Sequence, residues 1–328
     1  DGNKGWEGES IMLYEAKFYE KVTESVSDQT HVVEKISGVQ TCQDIPEMNS
    51  IKNDVRCLLC PHECLIKVGH TGICRSRKNI GGKLYSMVYG RPCALADDPI
   101  EKKPLLHFHP GSRCLSLACA GGNLRCKNCQ NFDISQTSPK DVPNQEYAPE
   151  DIVNMALQNH LPTIAYTYTE PLTYIEYVHD IAVLAHRHHL YNVLVSAGYI
   201  NPEPLHWLIP YIDAANIDLK SFSDEIYRKW NGATLEPVLK TLMIFLKAGV
   251  HLEITNLLVP GVNTDKKLVS QLCEWLVGNG FADCPLHFSR CFPMFKMENN
   301  GPTLLEDMYA ARDIALKAGI RYVHLGNV

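Results

Sequence analysis

From residue 113 onward, short apolar runs alternate with longer stretches whose apolar residues recur at helical spacing. The runs 113–118, 163–167, 192–196, 214–218, 251–258 and 286–289 predict strands. Between them, helices are predicted near 149–160, 171–190, 202–209, 223–230, 234–248 and 264–280. The punctuation agrees, with Pro149 and Pro171 in first turns, Ser223 and Asp265 near helix starts, and Gly249 and Gly280 at ends. A last helix near 303–318 stops at Gly319, and 321–325 closes the chain as one more strand. Repeated β-α units joined by right-handed crossovers predict a parallel sheet, here an α/β fold of partial TIM type, a (β/α)6 barrel over 113–328.

Upstream the pattern is different. Residues 1–55 form a polar N-terminal extension in which only 11–21 carries the spacing of a short amphipathic helix; the remainder, through Pro46, reads as linker. Residues 56–112 predict a four-cysteine module and a connecting hairpin, with a strand at 83–89 and a Pro-bounded loop over 97–104. His107 and His109 close that loop and read as ordinary polar residues rather than metal ligands.

Composition narrows the function classes. The 328 residues are 45% hydrophobic, enough for a real core, and the net charge of −6 leaves no basic stripe to attract nucleic acid. No apolar run approaches the roughly 18 residues of a spanning helix, so neither membrane nor nucleic acid is an expected partner. The chain begins at Asp1, so its native N-terminus is not visible, and a cytoplasmic location is the expectation.

Thirteen cysteines, an odd number gathered in clusters, argue against a disulfide framework and for thiolate metal sites in a reducing compartment. Cys57, Cys60, Cys64 and Cys74 follow C-x2-C-x3-C-x9-C. That compact spacing suits tetrahedral zinc at about 2.3 Å per sulfur, or a second iron–sulfur cluster. His62, inside this knuckle, reads as a hydrogen-bonding residue. Cys42, Cys93, Cys114, Cys273, Cys284 and Cys291 read as small buried apolar side chains.

The second cluster carries the chemistry. Cys119, Cys126 and Cys129 lie on the loop after the strand 113–118, where the chain breaks at Gly121 and Gly122. In a barrel, functional groups gather at the carboxyl ends of strands. Those positions hold the three thiols, then Glu170, Ser196, Asp218 with Lys220, Asn256, and Arg290. A cubane cluster held by three cysteines leaves one iron open to an amino-acid-like ligand, for which S-adenosylmethionine (SAM) is the expected candidate.

Six blocks make a resemblance specific: Cys57–Cys74; Asp98-Pro-Ile-Glu-Lys-Lys-Pro-Leu; Asn123-Leu-Arg-Cys-Lys-Asn-Cys-Gln-Asn-Phe-Asp-Ile-Ser-Gln136; Tyr166-Thr-Tyr-Thr-Glu-Pro171; Ala215-Asn-Ile-Asp-Leu-Lys220; and the closing Leu325-Gly-Asn-Val328. They resemble the radical SAM enzyme of the AmmeMemoRadiSam system, a family similar to the pyruvate formate-lyase activating enzymes. The resemblance implies a [4Fe-4S] cluster on Cys126 and Cys129, a role for Glu170 in holding the methionine amino group, and contact of Asp218 and Lys220 with SAM or substrate. It implies reductive cleavage of SAM to a 5′-deoxyadenosyl radical, a flavodoxin- or ferredoxin-like reductant, and two companion proteins, Memo-like and AMMECR-like.

One departure stands out. The family spacing C-x3-C-x2-C puts its first thiol at position 122, where this chain has Gly122. Cys119 lies three residues earlier, a gap of roughly 10 Å when extended, and the glycines would permit the bend that restores a triangle. Cys119 is therefore the expected third ligand. The competing readings are an activase for a glycyl-radical partner protein and a non-catalytic metal-binding protein with a decayed cluster motif.

Overall fold

Seven strands run side by side in one direction. The computed structural model describes residues 13–22, 53–298 and 301–328. Six short strands come first: β1 (Tyr14–Glu15), β2 (Tyr19–Lys21), β3 (Val55–Cys57), β4 (Leu65–Ile66), β5 (Arg77–Ile80) and β6 (Lys83–Ser86). The main sheet then takes β7 (Pro92–Pro99), β8 (Arg113–Cys119), β9 (Thr163–Tyr166), β10 (Tyr191–Ser196), β11 (Ala214–Asp218), β12 (His251–Leu258), β13 (Leu286–Arg290) and β14 (Val323–Gly326). Its order runs β14 to β7 without interruption. Strands β8 to β14 are mutually parallel and β7 is antiparallel to β8. Its two edge strands do not pair with each other, as a partial barrel requires.

The two faces of these strands sort by size. Cys114, Ala165, Val193 and Ala214 face inward, where Ile100 and Leu105 plug the barrel. Leu115, Leu117, Ile164, Tyr166, Leu194 and Ile217 pack outward against helix residues such as Ile152, Val178, Leu205 and Leu242. Helices Pro149–Gln158, Ile175–Arg187, Leu235–Ala248, Lys266–Gly278 and Leu305–Ala318 fall within a few residues of the predicted spans. Asp265 caps one of them, accepting from Lys267 N and Leu268 N at 2.8 and 3.2 Å. No helix among the described residues is long and apolar enough to cross a membrane.

Three expectations change. Within 11–21, the described residues form β1 and β2 rather than a helix, because they add to the open edges of β6 and β3, and Phe18 adopts φ +57°, which a helix does not accept. Ile11, Met12 and the expected linker lie outside the described residues. The expected loop over 97–104 begins as the end of β7, which covers the free edge of β8; the prolines sit only at the strand's ends, where no ladder donor is needed. The helix expected over 223–230 is a single turn, Asp224–Ile226, followed by a π-helical turn, Tyr227–Asn231, that ends at Gly232. That turn carries Asn231 to the thiol loop.

Candidate functional site

The loop after β8 is pinned by backbone contacts to three elements. Gly121 N donates to Ile134 O at 2.9 Å, Gly122 N to Cys74 O at 3.2 Å, and Arg125 N to Asn231 O at 2.7 Å. Asn123 donates its side-chain amide to Tyr199 O at 2.8 Å, and its backbone carbonyl oxygen lies 2.8 Å from His62 Nε2. The loop therefore lies between the barrel rim and the four-cysteine knuckle, and His62 has the hydrogen-bonding role its position suggested.

Cys126 and Cys129 line a cavity of about 880 Å³ at the carboxyl ends of the strands. Cys126 Sγ accepts from Asn231 Nδ2 at 3.1 Å, and Cys129 Sγ lies 3.0 Å from Ser135 Oγ. Burial pushes the Cys126 thiol up, against the pull of Lys220 and Asn231. The same wall holds Glu170, Ser196, Asp218 and Lys220, so four of the six predicted rim residues are brought together with the thiol pair.

Glu170 is the best-supported group among them. It is 7% exposed and accepts three hydrogen bonds, from Ser196 Oγ at 2.7 Å, Ala197 N at 2.9 Å and Leu172 N at 3.1 Å. Burial nevertheless pushes its carboxyl above the ordinary value. Ser196 thus acts on the site through Glu170. Lys220 Nζ pairs with Asp218 Oδ2 at 2.6 Å. Withdrawal from water opposes the Lys220 charge, but the Asp218 carboxylate and the Cys126 sulfur outweigh it and its pKa is raised.

Three predicted residues are not brought to this wall. Asn256 is buried and donates to Leu219 O at 2.6 Å, a strut beneath the β11 loop. Arg290 turns to the 303 loop, donating to Thr303 O at 2.8 Å, and lies over the Phe292 ring. Cys119 is the third, and lies outside the cavity lining. Side chains of a strand alternate between faces, and Cys119 shares the outward, core-packed face with Leu115 and Leu117. Its thiol is fully buried and donates to Val88 O at 3.4 Å, and burial pushes its pKa well up. Bending at the glycines comes after Cys119, so it cannot turn a side chain that the strand has already committed to the core.

Other residues of the cavity were missed. Asp98 accepts from Lys103 Nζ at 2.8 Å and Ser116 Oγ at 2.9 Å and also binds Tyr168 Oη, and these bonds outweigh burial and hold its carboxyl below the ordinary range. The Asp98–Pro104 block was visible in sequence, but its convergence on Tyr168 depends on β7 pairing with β8. At the far end stand His287 and His324, stacked with ring centroids 5.1 Å apart. His287 Nε2 is hydrogen-bonded to Oε2 of the buried Glu253 at 2.6 Å. Nothing in the local sequence marks them.

The knuckle is separate. Cys57, Cys60, Cys64 and Cys74 all line one cavity of about 20 Å³, beside Arg77 and Thr173. They surround it without closing on a common centre; among the described residues no three His, Cys, Asp or Glu side chains are drawn together into metal-binding geometry.

A parallel barrel with thiols and a buried carboxylate at its carboxyl rim is the layout of an α/β enzyme fold that binds a cofactor at the strand ends. Residues 118–271 match the Radical SAM superfamily, a span that holds both thiols, Glu170, Ser196, Asp218 and Lys220. An uncharacterized protein of Methanocaldococcus jannaschii is 45% identical over 276 residues, covering 84% of this chain and 82% of that one. The chain belongs to the radical SAM superfamily. It is also similar to the 4-hydroxyphenylacetate decarboxylase activating enzyme of Clostridium scatologenes, 20% identical over 171 residues, 49% of this chain and 55% of that one. The structure of Streptococcus suis SuiB bound to S-adenosylmethionine shares the fold, with a TM-score of 0.50 at 12% identity over 64% of this chain and 49% of that one.

The superfamily implies a [4Fe-4S] cluster and SAM. The cavity suits the second: its size is in the range of small-molecule sites, and a buried carboxylate with its acceptor atoms already organised waits at the wall. The donor set does not suit a three-thiolate cluster, because the wall offers Cys126, Cys129 and a glycine.

Proposed function

We propose that the rim cavity binds S-adenosylmethionine, with the Glu170 carboxylate holding the ammonium group of its methionine end. The observation that carries this is the buried, three-fold hydrogen-bonded Glu170 on the same cavity wall as Cys126 and Cys129. A carboxylate costs several kcal/mol to hold out of water and is best kept where a cation is to be met. The expected radical cleavage of SAM needs three thiolates at the loop, and the folded chain supplies two; no step through such a cluster follows from these residues. The placement in the AmmeMemoRadiSam system, with its companion proteins and reductant, rests on the sequence blocks and is part of this proposal. Titration calorimetry with SAM is expected to show one site per chain. Absence of heat and of any SAM-dependent shift in melting temperature would remove the reading.

For the knuckle we propose a thiolate-held metal site, zinc or a second iron–sulfur cluster, on Cys57, Cys60, Cys64 and Cys74, which line one cavity. Metal bound by these thiolates would add its binding free energy to the stability of the folded module. Replacing Cys60 and Cys64 together with serine is expected to eliminate this metal by elemental analysis and lower the melting temperature by several degrees, each kcal/mol corresponding to about 1–2 °C in a chain of this size. Unchanged metal content in that variant would count against the assignment.

A further inference from the structure

Gly121 and Gly122 are neighbours under different constraints. Gly121 has φ +99°, and a Cβ there would lie 2.5 Å from the Cys74 carbonyl oxygen, so only glycine fits. Gly122 is free of both demands. Its backbone is outside the left-handed region, and a Cβ would meet Ser135 O at 3.4 Å, Glu170 Cβ at 3.8 Å and Ser135 Cβ at 3.9 Å, all ordinary contacts. Ser135 and Glu170 line the same cavity as Cys126 and Cys129, and Gly122 itself is part of that wall. Neither backbone conformation nor packing asks for glycine at 122, and a Cβ there would sit beside Ser135 and Glu170, on the cavity that Cys126 and Cys129 also line.

We infer that position 122 is a vacated ligand corner. The chain as it stands presents a two-thiolate loop that does not retain a cubane, Cys119 does not substitute, and the single change Gly122→Cys completes the site. This deepens the reading of the cavity as a SAM site but is read out independently of it. Cys119 is excluded by its place on the outward face of β8, while the loop from Gly121 to Arg125 is already fixed by its contacts to Cys74, Ile134 and Asn231. Gly122→Cys therefore adds a thiol to a preformed loop.

Anaerobic reconstitution with iron and sulfide, followed by desalting, tests this. Because the knuckle thiols can also take iron, the loop's share is the excess over a Cys126→Ala/Cys129→Ala variant. The expected excess is none for the unaltered chain, none for Cys119→Ala, and about four irons per chain for Gly122→Cys, which after one-electron reduction with dithionite shows the low-temperature paramagnetic signal of a reduced cubane. An excess of about four irons in the unaltered chain overturns the inference, whether or not Cys119→Ala removes it. So does a Gly122→Cys variant that folds as the unaltered chain does, by circular dichroism, yet gains no iron. The comparison of the unaltered chain with the double alanine variant does not depend on the folding of Gly122→Cys. SAM calorimetry on the unaltered chain separately decides the reading of the cavity.

Discussion

Glu170→Ala is expected to weaken SAM binding by about tenfold to a hundredfold, the equivalent of losing a charged hydrogen bond of roughly 1.5–3 kcal/mol. The loss has two parts. The ammonium of the ligand loses its counter-charge, and three donors that Glu170 now satisfies, Ser196 Oγ, Ala197 N and Leu172 N, are left without their acceptor. Glu170→Gln separates these parts, since an amide keeps one acceptor oxygen and the shape while removing the charge. Ser196→Ala, which deletes a single bond to the carboxylate, is expected to cost several-fold less. Calorimetry on the three variants, with circular dichroism to confirm folding, gives the order; equal affinities for Glu170→Gln and the unaltered chain would show that the carboxylate does not meet a cation.

The same residue sets a pH dependence. Burial raises the Glu170 carboxyl above its ordinary 4.5, so on acidification it is neutralised earlier than an exposed glutamate. Only the ionised form pairs with an ammonium group. Affinity is therefore expected to rise with pH through this raised value and then level off, and Glu170→Gln should abolish the rise.

How much of this could be read from the chain depended on the range of the interaction. Strands β8 to β12 were legible because a parallel strand buried on both faces is a largely apolar run, and Ala214–Asp218 and His251–Leu258 match their predicted limits. Glu170, Asp218 and Lys220 were legible once the barrel was, because they sit just past strand ends. Three things were not. The strand character of 13–22 is decided by the open edges of β6 and β3, far away in sequence, which outweigh its helical spacing. His287 and His324 reach the cavity only because β13 pairs with β14. The burial of Cys119 follows from strand parity and not from its spacing to Cys126: the thiol two residues beyond Leu117 shares its face.

Arg77→Met is expected to destabilise the fold by about 3–5 kcal/mol, the typical consequence of leaving one member of a buried ion pair without its partner. Arg77 and Glu176 are both essentially excluded from water, with side-chain exposures of 1% and 0%. The guanidinium also donates to Lys17 O at 2.9 Å and Thr173 O at 3.3 Å, while Glu176 accepts from Lys17 N at 2.8 Å. One pair thus joins the N-terminal strands, the knuckle hairpin and the start of the helix Ile175–Arg187. The methionine variant strands a carboxylate that already has one oxygen, Oε2, without a donor. Replacing both residues, Arg77→Met with Glu176→Leu, removes the stranded charge and is expected to recover much of the loss. Denaturant unfolding of the two variants measures the difference; a double variant as unstable as Arg77→Met would mean that the bonds to Lys17 and Thr173, and not the ion pair, hold these elements together.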